Sequence, residues 1–143
     1  MPENTTTLRG WHGRTDALSP NDVHDLYLSP GREHAEDYAY PDGVLYEVTY
    51  EAANPLHLRT AKEFRAVWEE SGADRAEGRF HPQVTSVFTA HLRALGHDAV
   101  VVHPSVFDDP DADHADWEVA AGTLGDPQTI VLHPTAARAH TSR

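Results

Sequence analysis

The sequence contains no cysteine among its 143 residues. Disulfide bridges, thiolate nucleophiles and cysteine-ligated zinc sites are therefore excluded, which removes several classes of enzyme. It also contains no run of about 18 apolar residues, so no transmembrane helix is expected. The first residues have neither the basic nor the apolar region of a signal peptide, so the expected location is the cytoplasm. A protein delivered to a target cell without such a peptide fits the same observation.

Basic residues are also scarce, with 11 Lys and Arg against 23 Asp and Glu and a net charge of -12. No Lys or Arg lies between Gly96 and Pro134. Such a surface repels the nucleic-acid backbone over most of its area. The earlier residues Arg59, Lys62 and Arg65 still leave room for a local basic face, so a phosphate or nucleic-acid partner stays open.

Several common active-site motifs are missing. The sequence has no Gly-x-Gly-x-x-Gly and no P-loop, which argues against Rossmann and Walker-type nucleotide binding. It has no Gly-x-Ser-x-Gly elbow, which argues against a serine hydrolase. Length and a hydrophobic content of 39% predict a single globular domain over residues 1–143, with flexible tails at 1–6 and 136–143.

Hydrophobic periodicity predicts about six strands and three helices. The clearest strand covers residues 43–51, and the apolar β-branched run 98–103 predicts a central strand. Residues 117–124 and 129–132 are expected to form the last two strands. The resulting order favours an α+β fold with a mixed or mostly antiparallel sheet over a regular βαβ alternation.

Three segments carry helix signals. Residues 31–39 place small and aromatic side chains at helical spacing. Thr60 with Glu63 has the spacing of a capping box, which predicts the start of a second helix. Residues 82–95 carry a long apolar stripe on one face and predict the third helix.

Eleven histidines without cysteine invite a metal interpretation. The candidate nitrogen and oxygen ligands are His103, Asp108, Asp111, Asp113, His114 and Asp116. However, the acidic spacing lacks the glycine of an EF-hand loop, and no two histidines flank a glutamate at helical i, i+4 spacing. A solvated acidic loop is the favoured interpretation and no metal site is expected. A metal-dependent hydrolase remains a third hypothesis.

A series of short patterns occurs in a fixed order between residues 8 and 134. The patterns are Trp11-His12-Gly13-Arg14-Thr15, Leu26-Tyr27-Leu28-Ser29, Ala35-Glu-Asp-Tyr38-Ala39, Asn54-Pro55-Leu56, Leu92-Arg-Ala-Leu-Gly96-His97-Asp98 and Gln128-Thr-Ile-Val131 up to Pro134. In this order they resemble the ADP-ribosyltransferase superfamily, in the branch whose active site is described as His, Tyr, and then Glu, Asp or Gln.

The resemblance implies an α+β fold with split mixed and antiparallel sheets and flanking helices. It also implies transfer of ADP-ribose from NAD to an acceptor with release of nicotinamide. The acceptor, whether a protein side chain, a nucleic acid or a small molecule, is left open. A bacterial toxin, a phage-type effector and a small-molecule modifier are equally compatible with the size of the chain.

By the same resemblance, His12 would hydrogen-bond the adenosine-side ribose and the Gly13 backbone would meet the nicotinamide carboxamide. Tyr27 and Tyr38 would form the walls of the nicotinamide site, and Tyr38 would also be a catalytic residue. The remaining cofactor-binding positions are Arg14, Thr15 and Ser29. Without the resemblance, His12 is interpreted as a surface histidine at a strand end, and the two tyrosines as core aromatics.

The third active-site residue has two candidates. Counting back from Pro134 in the family pattern reaches Gln128, which is favoured, while Glu118 serves if the register differs. A glutamine can hydrogen-bond the 2′-hydroxyl of the nicotinamide ribose, but it has no charge and cannot act as a general base. A catalytically silent or repurposed NAD- or nucleotide-binding domain is therefore the competing hypothesis.

Overall fold

A computed structural model describes residues 5–16, 18–73, 82–123 and 127–141. The helices and strands of these residues follow the chain order β1 (Thr6–Arg14), β2 (Leu26–Leu28), α1 (Arg32–Ala39), β3 (Val44–Ala52), β4 (Pro55–Leu58), α2 (Ala61–Ser71), α3 (Pro82–Ala94), β5 (Ala99–Val102), α4 (His114–Thr123), β6 (Gln128–Val131) and β7 (Arg138–Thr141). The expected α+β class is confirmed, since the described residues form four α-helices and two sheets, one antiparallel and one mixed.

The chain divides into two compact units. The first holds the described residues of Met1–Pro55, Asp98–Val100 and Gln128–Arg143, and the second holds those of Leu56–His97 and Val101–Pro127. In the first unit, β1, β3 and β7 form an antiparallel sheet in the order β1-β3-β7. Leu8 lies opposite Tyr50 and Gly10 opposite Val48, so these positions share the buried face of the sheet.

The last strand differs from the expectation for the C-terminus. The sequence predicts a flexible tail at 136–143, whereas Arg138–Thr141 forms β7 and pairs with β3 from Tyr46 to Thr49. This strand has little apolar alternation and is mostly exposed. Its order therefore comes from backbone hydrogen bonds to an existing strand edge, a contact that periodicity does not report. Residues 1–4 and 142–143 lie outside the described residues.

In the first unit, β2 pairs antiparallel with β6, with Leu26 opposite Val131 and Leu28 opposite Thr129. In the second unit, the end of β5 runs beside β4, where the N–H of His103 donates to the carbonyl of Leu58 at 3.0 Å. The leucines of β2 and the valines of β5 are largely buried.

The Asp98 carboxylate joins the start of β5 to the connection between β3 and β4. Its Oδ2 accepts from the Tyr50 hydroxyl at 3.0 Å and from the Ala53 N–H at 2.7 Å, and its Oδ1 accepts from the Asn54 N–H at 2.9 Å. Burial and the neighbouring Asp98 carboxylate raise the pKa of Tyr50. One side chain thus satisfies two backbone donors and a largely buried hydroxyl.

We expect Asp98→Ala to lower the free energy of unfolding by about 3 kcal/mol, because these donors lose their acceptor together. Tyr50→Phe removes only one of the bonds and should cost about 1 kcal/mol. Urea denaturation followed by circular dichroism measures both values. Equal losses in the two variants would show that the backbone bonds to Asp98 contribute nothing.

An aromatic cluster forms the core of the second unit. Phe64 and Trp68 of α2 stack at 5.9 Å between ring centroids, and Phe88 of α3 lies 5.6 and 5.1 Å from them. The expected capping box is confirmed at the start of α2, since Thr60 accepts from the Glu63 N–H and Glu63 accepts from the Thr60 N–H.

The expected strand at 117–124 is wrong, because His114–Thr123 forms α4. Asp113 Oδ1 accepts from the Asp116 N–H at 2.8 Å, and Asp116 Oδ2 accepts from the Asp113 N–H at 3.3 Å. This reciprocal cap has aspartate at both positions, whereas the capping box that predicts the start of α2 has Thr followed by Glu. Asp116, which is only 5% exposed, also accepts from Arg65 Nη1 of α2 at 3.0 Å.

Candidate functional site

His12 lies near the end of β1, and a hydrogen bond to the neighbouring strand β2 determines which nitrogen of its ring carries the proton. Its Nδ1 is 2.8 Å from the carbonyl oxygen of Tyr27 in β2. A carbonyl only accepts, so Nδ1 carries the proton and Nε2 of the neutral ring is an acceptor. Burial, the largest cause, lowers the pKa of His12, and the nearby Arg14 lowers it further against the opposing Tyr27 carbonyl. His12 is therefore neutral near pH 7 and presents a lone pair at Nε2.

The Arg14 side chain covers this lone pair. Arg14 Nη1 donates to His12 Nε2 at 3.2 Å. Its Nε and Nη2 donate to Asp16 Oδ1 and Oδ2 at 2.7 and 2.6 Å, a two-point contact with the carboxylate. The hydrogen bonds from Arg14 hold the pKa of Asp16 below its usual value. Arg14 belongs to the predicted cofactor-binding set, but its sequence context did not predict the series of hydrogen bonds that runs from Tyr27 through His12 and Arg14 to Asp16.

Gly13 is the point at which α1 meets β1. A Cβ added at Gly13 would lie 2.0 Å from the carbonyl oxygen of Ala35 and 3.0 Å from the backbone nitrogen of Ala39. Only a residue without a side chain allows the helix backbone to come this close. The contact brings α1, and Tyr38 with it, to the end of β1.

Tyr38 is 61% exposed and lies edge-on to His34, with the ring centroids 5.6 Å apart. The interpretation of Tyr38 as a core aromatic is therefore wrong. An exposed ring beside the end of β1 has a free face on which a planar ligand group can stack.

Tyr27 and Ser29 belong to the strand beside β1. Trp11 donates its N–H to the Ser29 carbonyl at 2.9 Å, and Ser29 returns the bond at 2.8 Å. Tyr27 lies opposite Ile130 of β6 and is half-buried. Thr15 follows the last residue of β1 and is exposed.

Gln128 is the first residue of β6, in the first unit. It precedes Thr129, which lies opposite Leu28, so Gln128 lies at the end of β2 that leads into Ser29. Side chains alternate along a strand, and Gln128 therefore shares a face with Ile130 and with Tyr27 opposite it. Gln128 is half-buried.

Glu118 has a different setting. It lies within α4, in the second unit, and its Oε2 is 3.1 Å from His114 Nε2. The expectation that Glu118 begins a strand is wrong. The first unit contains every other predicted site residue, from His12 to Gln128, and does not contain Glu118.

A cavity of about 290 Å³ lies beside α1 and the start of β3. Its lining includes Arg32, Glu36, Tyr40 and Leu45. This volume is at the lower edge of the range for small-molecule sites, roughly 300 Å³ and above. None of the predicted site residues lines it, so the cavity and the His12 arrangement are separate features of the first unit.

Among the described residues, no group of three or more His, Asp or Glu side chains could hold a metal ion. Members of the suggested acidic set have other partners in the second unit. Asp116 pairs with Arg65, and His103 Nε2 lies 2.9 Å from His57 Nδ1. Burial, the largest cause, lowers the pKa of His103, and the neighbouring Arg59 and His57 lower it further.

No protein-family model matches the sequence, and no curated protein matches it. A crystal structure of an anti-CRISPR protein is similar to this chain, with a TM-score of 0.51 and 13% sequence identity. The similarity covers 95% of this chain and 96% of that chain. At this identity the likeness concerns the fold alone. Within the described ranges, no helix is long and apolar enough to cross a membrane.

Proposed function

We propose that this chain is an NAD-dependent ADP-ribosyltransferase with an ADP-ribosyltransferase-type fold and an NAD site in its first unit. The observation that carries the proposal is the His12 ring, whose Nδ1–H donates to the Tyr27 carbonyl and whose Nε2 is an acceptor. A ribose hydroxyl is the complementary donor for this nitrogen. Further support comes from Gly13, Tyr38 and Gln128, which belong to the same unit.

In the proposed reaction, the bond between nicotinamide N1 and ribose C1′ breaks, and nicotinamide leaves with the electron pair. A nucleophile of the acceptor forms the new bond to C1′ and loses its proton to solvent or to a base of its own. His12 Nε2 accepts from the adenosine-side ribose, while Tyr27 and Tyr38 stack on the nicotinamide. Gln128 hydrogen-bonds the 2′-hydroxyl of the nicotinamide ribose, where positive charge develops next to it.

The test is release of free nicotinamide from NAD, measured by chromatography with water, protein, RNA and small-molecule acceptors in separate reactions. We expect His12→Ala to lower the rate about 100-fold, because one preorganised hydrogen bond to the reacting ligand is lost. His140→Ala is the matched control, since His140 is exposed on β7 in the same unit. A wild-type protein that neither binds NAD in calorimetry nor releases nicotinamide with any acceptor would refute the proposal.

The second candidate is a catalytically silent NAD- or nucleotide-binding domain. The observation that favours it is the uncharged Gln128, which cannot offset the developing charge or accept a proton. This candidate predicts that the wild type binds NAD, that His12→Ala loses this binding, and that nicotinamide is released by neither protein.

A further inference from the structure

We propose that Arg14 is a phosphate-binding residue that Asp16 holds in an inhibitory position over His12. A nucleotide phosphate takes the place of the Asp16 carboxylate, Arg14 moves with it, and Nε2 of His12 becomes open to the ribose. This inference rests on the proposed function and adds a ligand group and a regulating contact to the same site.

The geometry of the Arg14 guanidinium supports the inference. Arg14 Nε and Nη2 donate hydrogen bonds to the two carboxylate oxygens of Asp16 at 2.7 and 2.6 Å. The planar fork of arginine makes the same two-point contact with a phosphate as with a carboxylate. The Asp16 carboxylate therefore occupies the place that a phosphate group would take on Arg14.

The remaining guanidinium nitrogen of Arg14, Nη1, contacts His12. Arg14 Nη1 donates to His12 Nε2 at 3.2 Å, and this nitrogen is the acceptor assigned to the ribose. While Arg14 stays on Asp16, a ribose hydroxyl must compete with Nη1 for the same lone pair. Ribose binding and release of Arg14 are thus coupled through a single atom.

Asp16 and Arg14 also differ in their exposure to solvent. The Asp16 side chain is 52% exposed and the Arg14 side chain is 17% exposed. Solvent therefore reaches the Asp16 side of this ion pair, and a ligand can approach Arg14 from that side. Asp16 also accepts a hydrogen bond from the Leu18 N–H at 3.1 Å. The pyrophosphate of ADP-ribose carries two negative charges against the one of the carboxylate, so it can compete with Asp16 for the guanidinium.

Calorimetric titration with ADP-ribose and with adenosine tests the inference on the full chain. For ADP-ribose, we expect Asp16→Asn to bind about fivefold tighter, because the competing carboxylate is gone. We expect Arg14→Gln to bind at least about tenfold weaker, because the fork contact with phosphate is lost. Adenosine has no phosphate, so Arg14→Gln should bind it as well as the wild type or better.

Controls come from a second Arg–acid pair of the first unit, distant in sequence from Arg14, where Arg138 Nη2 lies 3.8 Å from Glu51 Oε1. Glu51→Gln and Arg138→Gln should change neither affinity by more than about twofold. Arg14→Lys keeps the charge but not the fork, so it should lie between wild type and Arg14→Gln. Arg14→Gln is also titrated with NAD and NADP, and a loss confined to NADP, the ligand with a 2′-phosphate, would overturn the inference for the pyrophosphate that ADP-ribose carries.

The inference is overturned if the wild type binds ADP-ribose but Asp16→Asn binds it no tighter, or if Arg14→Gln weakens adenosine and ADP-ribose equally. The second pattern would mean that Arg14 only supports the position of His12. If neither the wild type nor Asp16→Asn binds ADP-ribose, NAD or NADP, the proposed function fails along with it. Thermal unfolding of each variant separates lost binding from lost folding, and Asp16→Asn decides the question even if Arg14→Gln does not fold.

Discussion

Replacing Gln128 by glutamate is expected to raise the rate of nicotinamide release by about 100-fold. A carboxylate at this position would place a negative charge beside the ribose carbon at which positive charge develops. In the proposed site, the wild-type amide would supply only a neutral hydrogen bond to the ribose. A faster Gln128→Glu protein would attribute a slow wild type to the missing charge.

Chromatographic measurement of nicotinamide checks this result at saturating NAD, with NAD binding measured in parallel. Gln128→Ala is the first control, and it should not gain activity. Glu118→Gln is the second, and we expect it to match the wild type, because Glu118 lies on α4 and pairs with His114. A Gln128→Glu protein that binds NAD normally but is no faster than the wild type would remove Gln128 from the proposed active site.

Gly13→Ala is expected to lower the free energy of unfolding by about 4 kcal/mol and to abolish NAD binding. The added methyl would lie 2.0 Å from the Ala35 carbonyl oxygen, a backbone atom that cannot move without the whole of α1. Relief of the clash requires α1 to move away from β1. That movement would carry Tyr38 away from the end of the strand.

Gly31→Ala is the matched control for this change. Gly31 precedes the same helix, and a Cβ added there has no heavy atom within 4 Å. Its stability should change by less than about 1 kcal/mol, which urea denaturation can resolve from the effect at Gly13. Equal stability of the two variants would show that the close approach of α1 to Gly13 is not needed for folding.

Local patterns predicted the elements whose signals are contained in their own residues. The apolar run at 98–103 became β5, and Thr60 with Glu63 became the cap of α2. The segment at 117–124 was mistaken for a strand because the Asp113–Asp116 cap was not recognised. The strand β7 was missed because its order depends on β3, about 90 residues earlier in the chain.

The candidate site also combines features that the sequence predicted with features that only the structure showed. The order of His12, Tyr27, Tyr38 and Gln128 along the chain was sufficient to suggest an NAD site. Sequence spacing did not show that Tyr38 is exposed, because a helical repeat alone does not tell which face a neighbouring strand covers. It also did not separate Gln128 from Glu118, since both were expected to lie in strands near the C-terminus.

The sequence by itself determined the chemistry available to this protein. It excluded cysteine chemistry, set the net charge at -12, and placed a neutral amide at position 128. Only the tertiary structure decided the tautomer of His12, because the carbonyl that accepts the hydrogen bond from Nδ1 belongs to a residue 15 positions away. The contact of Arg14 with Nε2 is more local, because His12 and Arg14 lie two residues apart on β1 and strand alternation places both side chains on one face. A tautomer and a hydrogen-bond partner are set by distances of a few ångströms, and only folding creates those distances.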